Sequence, residues 1–345
     1  MSDLHMERVG RAGLITLTRP KALNALSKAM LFEMGEALDE WAADDRVERV
    51  LIRGEGKAFC AGGDIRYLYS ARSDGLDFFT TEYRHNARVK HFPKPYVSLL
   101  DGIVMGGGVG ISAHGSHRVA SENVVFAMPE VGIGLFPDVG ASHILSELEG
   151  AFGLYLALTG TRVARDAGSQ QGLFTHPVDH DRLGDCLDRA VHGRDLDGAL
   201  DELKSETEPQ NEDDLALIAR CFAAASVSEI MDRLGDEDAP LAQEARDAIA
   251  GKSPTSLKVT FEEITRAKGL SFDECITTEY RIVAQVLEGH DLYEGIRATV
   301  IDKDRNPQWS PATLDGVDDE VVAAHFDEPE VGDLSLPVPA AETAS

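Results

Sequence analysis

Residues 58–64 read AFCAGGD and residues 105–110 read MGGGVG. Each glycine cluster comes after a strand-like segment, Val47 to Ile52 (VERVLI) before the first and Tyr96 to Leu100 (YVSLL) before the second. Glycine allows positive φ and close approach by another molecule, so each cluster can aim a bare backbone N–H at a ligand oxygen. Two such donors from separate loops would make an oxyanion hole; tight turns packing a helix onto a sheet would use the same residues. The GGGVG run lacks the last glycine of a dinucleotide fingerprint, and no phosphate loop, HExxH zinc site or GxSxG nucleophile elbow is present.

Working outward, Gly13 to Thr18 (GLITLT) reads as a strand ended by Pro20. Ser27 can cap a following helix whose apolar residues Met30, Met34, Leu38 and Trp41 share one face. Val124 to Ala127 is a further short strand ended by Pro129. Alternating strands and helices predict an α/β layer with ligands at the strand ends. From about Gly150 the pattern turns helical, with helical blocks over 215–249 and 256–286.

The chain has 345 residues, of which 43% are hydrophobic, and 33 Lys and Arg stand against 60 Asp and Glu, a formal charge of −27. That length and composition exclude disorder throughout, and the charge argues against nucleic acid and anionic membrane surfaces as partners. Cys60, Cys186, Cys221 and Cys275 are too scattered for a disulfide framework or a CxxC site, which fits a reducing compartment. Met1 to Arg11 is polar, and no apolar run approaches the roughly 20 residues of a membrane span. The expectation is a soluble, cytoplasmic protein without a metal site.

Residues 129–140, PEVGIGLFPDVG, set Glu130 and Asp138 at the ends of an uncharged, mostly apolar run. A carboxyl in such surroundings is held in low dielectric, which raises its pKa and suits it to proton transfer at neutral pH. Equally, Glu130 can be a loop acid and Asp138 the cap of a helix starting near Val139.

The sequence resembles the crotonase (enoyl-CoA hydratase/isomerase) superfamily through AFCAGGDI at 58–65, GGG at 106–108, Pro129-Glu130 and the opening RPKALNAL at 19–26. It is most similar to the superfamily's thioester-hydrolysing branch, through GLFPDVGAS at 134–142, YLALTGTRV at 155–163, FFTTEY at 78–83 and EGHDLYEGIRATVIDKDRNPQW at 288–309. The resemblance implies a crotonase (ClpP-like) spiral of ββα units: a core with an acyl-CoA site over 1–180 and a helical region over 181–327 packing on it. The end of the chain, with no Lys or Arg after residue 310, reads from its composition as an acidic, solvated tail over 328–345.

Carried over residue by residue, the resemblance puts the oxyanion N–H groups on Gly63 and Gly107, the catalytic acids on Glu130 and Asp138, a substrate-contacting glutamate on Glu82, and the adenine of coenzyme A against Ala61. Hydratases of the superfamily carry one of their two catalytic glutamates two positions after the GGG run. That position is Gly110 here, which favours thioester hydrolysis. The expected reaction is hydrolysis of a short β-hydroxyacyl-CoA, foremost 3-hydroxyisobutyryl-CoA in valine catabolism. Coenzyme A is then part of the substrate and no cofactor is needed. Lys21 and Lys57 are the expected contacts for its phosphates, with Arg19 and Arg66 as further candidates. The competing readings are a hydratase or isomerase on the same fold and a catalytically idle binding protein. The superfamily often forms homo-oligomers through its C-terminal helices. The charge pattern carries its own expectation: acids concentrated in 195–214, the outer helices and 311–345, and a cleft left neutral or basic for a polyanionic ligand. His114 and His117 read as packing or surface residues.

Overall fold

Nine strands form two sheets in the computed structural model, which describes residues 3–337. The larger sheet contains β1 (Leu4–Val9), β2 (Ala12–Leu17), β3 (Arg49–Gly54), β5 (Tyr96–Leu100), β7 (His117–Ala120) and β9 (His176–Pro177), in the order β1-β2-β3-β5-β7-β9. Only β1 and β2 pair antiparallel. β2 and β5 are buried along their whole length, as strands covered on both faces must be. Ile15 and Leu17 join the main core, while Ala12 and Leu14 join a second cluster with Cys186, Ala190 and Leu200 from the helices Leu183–His192 and Leu196–Asp201.

The smaller sheet holds the key to the site. Its strands β4 (Ala58–Cys60), β6 (Ile103–Met105) and β8 (Val125–Ala127) lie parallel in the order β4-β6-β8. Cys60 is in register with Val104, and Met105 with Ala127. Parallel strands end on the same side, so the AGGD turn, the GGG turn and Pro129-Glu130 emerge next to one another. β3 with β4, β5 with β6 and β7 with β8 repeat the same strand-pair step, which is the expected ββα spiral.

Ser27 caps the helix Lys28–Ala43 by accepting from the Met30 N–H. The C-terminal helices Pro254–Ala267 and Phe272–Glu288 share the main core with the sheets, burying Leu257, Ile276 and Ile282 in the cluster that holds Phe59 and Phe136. Residues 328–337, read as the start of a solvated tail, lie against this body instead. Asp333 pairs with Arg281, Leu334 is buried, and the Ser335 carbonyl accepts from Arg84. Residues 338–345 fall outside the described residues. The polar N-terminal segment forms the edge strand β1. No described helix is long and apolar enough to cross a membrane.

Candidate active site

At the ends of β4, β6 and β8 lies a cavity of about 370 Å³, the size of a small-ligand site. Leu26 pairs with the first glycine loop: its N–H donates to Gly62 O, and the Asp64 N–H donates to Leu26 O. The Gly63 N–H between them is left without a backbone acceptor. Gly107 opens the one-turn helix Gly107–Gly110, so its N–H has no acceptor within that helix. Gly106 makes this turn with φ 49° and ψ −124°, a conformation that side chains disfavour. The two loops touch: a Cβ on Gly107 would lie 3.3 Å from the Gly63 nitrogen and 2.4 Å from Glu82 Oε1. Two free N–H groups therefore converge beside a carboxyl.

Three acids line the cavity, and all are buried. Glu82 projects from the helix Leu76–Lys90, Glu130 from the 3₁₀ turn Glu130–Ile133, and Asp138 from the segment that follows. A Cβ on Gly106 would sit 3.1 Å from Glu130 Oε1, so Glu130 faces the GGG turn. Burial, then the nearby Asp138, pushes the pKa of both glutamates well above the usual carboxylate range. Glu82 Oε1 and Glu130 Oε2 have no hydrogen-bond partner, as expected of groups waiting for a ligand. Asp138 Oδ2 accepts from the Tyr83 hydroxyl at 2.8 Å. Burial raises its pKa to about 7 against the opposing effect of that hydrogen bond. The helix after it begins only at Ala141, with Gly140 as its cap residue, so Asp138 does not cap it.

The structure thus brings Glu82, Glu130, Asp138, Gly63, Gly107 and Ala61 into one cavity wall. Lys21 and Lys57 do not reach it. Lys21 lines a separate surface cleft with Arg19 and Asp3, and Lys57 is exposed. Arg66 donates to the Val300 carbonyl instead. The cleft also departs from the neutral or basic expectation, with three acids and one cation, Lys252, along its wall. Burial accounts for this, because carboxyls with raised pKa carry less charge at neutral pH. Lys252 and Thr299 come from the C-terminal region; Lys252 lies in no motif, and Thr299 lies in the 288–309 block, which marks the branch of the family rather than a ligand contact.

Gly110 does not line the cavity. A Cβ there would meet Asn86 Nδ2 at 2.6 Å and Val139 Cβ at 2.7 Å, so the space for any side chain is already filled. His114 is buried within hydrogen-bonding distance of the Val139 carbonyl, and His117 pairs with Asp197. Both are structural, as read. All four cysteines are free and buried.

The model of the enoyl-CoA hydratase/isomerase family matches residues 12–326. The chain is 42% identical to "3-hydroxyisobutyryl-CoA hydrolase, mitochondrial" of Danio rerio, covering 97% of this chain and 92% of the relative. It is 39% identical to the protein of the same name from Homo sapiens, over 97% and 91%. Those names place the relatives in the mitochondrion and lend the cytoplasmic expectation no support. Among solved structures, a carnitinyl-CoA dehydratase from Mycobacterium thermoresistibile superposes with a TM-score of 0.91 at 39% identity, covering 96% of this chain and 98% of that one. An enoyl-CoA hydratase from Rhodobacter sphaeroides 2.4.1 gives 0.88 at 38% identity, over 97% and 100%.

Proposed function

The chain belongs to the enoyl-CoA hydratase/isomerase family, and we propose that within it the protein is an acyl-CoA thioester hydrolase acting on 3-hydroxyisobutyryl-CoA. The observation that carries this reading is the Glu130 and Asp138 pair in a buried cavity from which the hydratase acid's position, Gly110, is walled off by Asn86 and Val139. The names of the vertebrate relatives support the same substrate.

The thioester oxygen sits between the N–H groups of Gly63 and Gly107, where each donor contributes roughly 3 kcal/mol to stabilising the tetrahedral oxyanion. Glu130, ionised when substrate binds, either attacks the carbonyl carbon to give a mixed anhydride that water opens, or takes a proton from the attacking water. Collapse of the oxyanion breaks the C–S bond, and the protonated Asp138 gives its proton to the departing thiolate. Thioester and water become carboxylate, thiol and one proton. Glu82 holds the substrate hydroxyl, and a thioester lacking that group leaves a buried carboxyl unpaired, which discriminates strongly. The nucleotide runs outward past Ala61, with Lys252 as the cation on the cavity wall.

Free thiol and enoyl absorbance, followed together on 3-hydroxyisobutyryl-CoA and crotonyl-CoA, test this reading. Expected are stoichiometric thiol from the first and an unchanged spectrum from the second. Loss of enoyl absorbance without thiol would show a hydratase. That result is the one the solved structures' names suggest. Single turnover in ¹⁸O-water then separates the two routes, because label in the Glu130 carboxyl requires the anhydride.

A further inference from the structure

Asp138 leads into a turn that the chain does not adopt freely. Val139, a β-branched residue, has φ 61°, and Gly140 has φ 79°. A left-handed β-branched residue persists only where its surroundings impose it. Two side chains fix the first half of the turn. The Tyr83 hydroxyl donates to Asp138 Oδ2, and His114 Nε2 lies 2.7 Å from the Val139 carbonyl. Burial holds the His114 pKa down at about 3, so the ring is neutral and that nitrogen carries the donated hydrogen.

The second half is held by one side chain from the C-terminal region. Glu279, on the helix Phe272–Glu288, is fully buried. Its Oε2 accepts the Gly140 N–H at 2.6 Å, and its Oε1 accepts the Ser142 N–H at 3.1 Å and the Ser142 hydroxyl at 2.6 Å. All three donors belong to the turn that follows Asp138. A buried carboxyl is costly to ionise unless its hydrogen bonds are met; among the described residues this turn alone supplies them, and burial still raises the Glu279 pKa to about 8 against their effect. No ion pair among the described residues joins Glu279 to a cation: Asp138, Tyr83, Cys275 and Glu263 lie close by, and Arg266 and Arg281, which share a cleft with Ser142 and Glu263, pair with Glu262 and Asp333 instead. Glu263, on the facing helix Pro254–Ala267, has neither oxygen partnered. Glu279 does not line the cavity.

We infer that Glu279 is a positioning residue, which acts through the Val139–Ser142 turn to hold the Asp138 carboxyl against Tyr83 at the reacting centre. The inference rests on the reading of Asp138 as the proton-handling acid. Small misplacements of such a group lower kcat by large factors without touching substrate affinity. Glu279→Gln keeps the shape but replaces one acceptor oxygen by an NH₂ group that opposes an N–H or O–H donor.

The experiment is a double-mutant cycle on the full chain, with single-turnover thiol release measured for E279Q, D138N and the pair. E279Q should lower kcat by about 30-fold with KM within about twofold. In the D138N background it should cause no further loss. An equal fall in both backgrounds would reduce Glu279 to a general structural role, and full kcat in folded E279Q would overturn the inference outright. Ser142→Ala removes one donor without changing a charge. It should give a smaller loss with the same non-additivity, so it decides the matter if E279Q does not fold. The ¹³C carboxyl resonance of Asp138 should shift in E279Q, and an unmoved resonance would also overturn the inference. Should D138N itself keep full turnover, the role given to Asp138 fails, and the resonance still decides whether Glu279 orders its carboxyl.

Discussion

Two groups of acids in this molecule live in opposite conditions. Glu82, Glu130 and Asp138 are buried, have no cation as partner and hold their protons far more tightly than free carboxyls. In the C-terminal block, Glu294, Asp302 and Asp304 gather round Arg297, with Glu294 making two hydrogen bonds of 2.8 Å to the guanidinium. That pairing pulls the Glu294 pKa down to about 2 and lowers that of Asp304. The first group costs the fold stability and can move protons at neutral pH. The second fastens a loop and cannot. In a chain of charge −27, what an acid does is set by its surroundings rather than by the number of acids.

The sharpest way to break this contrast is to remove a charge from the first group. Glu130→Gln should lower kcat by about 10³-fold or more, and Asp138→Asn by about 10²-fold or more, with thiol release as the measurement. Stability should move the other way. A carboxyl whose folded-state pKa is raised stabilises the fold below its unfolded pKa, and that contribution is lost as pH rises through the folded value, about 7 for Asp138. The amide needs no ionisation, so D138N should melt a few degrees (about 2–5 °C) above wild type at pH 8, and the gap should close towards pH 4. A D138N protein less stable than wild type at pH 8 would show that the Asp138 charge is compensated after all.

Much of this was legible in the residues. Tyr96 to Leu100 reads as the strand it forms, Ser27 reads as the cap it is, and the glycine clusters, Glu130 and Asp138 stand in short segments whose chemistry is local, whereas Glu82 follows only from the family resemblance. What stayed hidden depends on partners distant in the chain. β4 and β6 are three residues long, too short for a period, and exist because they pair with each other and with β8. β1 alternates burial on a polar sequence and is ordered by pairing with β2. In the sequence Asp138 reads as a helix cap as well as an active-site acid, and only the helix start at Ala141 and the Tyr83 hydroxyl on its carboxyl separate the two. Nothing near Glu279 or Lys252 announces that either residue faces a turn or a cavity built more than a hundred residues earlier.

Lys252 sharpens the contrast from the side of the cations. Arg297 shares its charge among three carboxylates, whereas the half-buried Lys252 ammonium has no ion-pair partner among the described residues and lines the cavity wall. Burial lowers its pKa, and an anionic ligand would restore it. Lys252→Met should raise KM for the CoA thioester about tenfold and leave kcat unchanged, since the contact persists through ground state and transition state alike. With the acyl-pantetheine thioester, which lacks the nucleotide, the KM values of variant and wild type should coincide. A fall in kcat instead would place the ammonium at the reacting atoms.

The smallest effect belongs to Arg297 itself, and it tests whether the two groups of acids are independent. Thr299, two residues along, lies in the cavity wall, so a disturbance of the ion network has a short path to the site. The network nevertheless opens to water, with Asp302 and Asp304 exposed and Arg297 and Glu294 partly buried, and ion pairs at such a surface contribute little because the attraction is screened and the side chains must be ordered. The guanidinium also donates to the Asn306 carbonyl, and Glu294 accepts the Gln308 N–H, so its local duty is to shape 297–308. Arg297→Gln should therefore lower the melting temperature by only about 1–3 °C, a difference that 1 M salt abolishes, and should leave kcat and KM for the thioester unchanged. A loss of turnover on the scale of E130Q would mean that the loop positions the wall around Thr299, and that the two groups of acids are parts of one site.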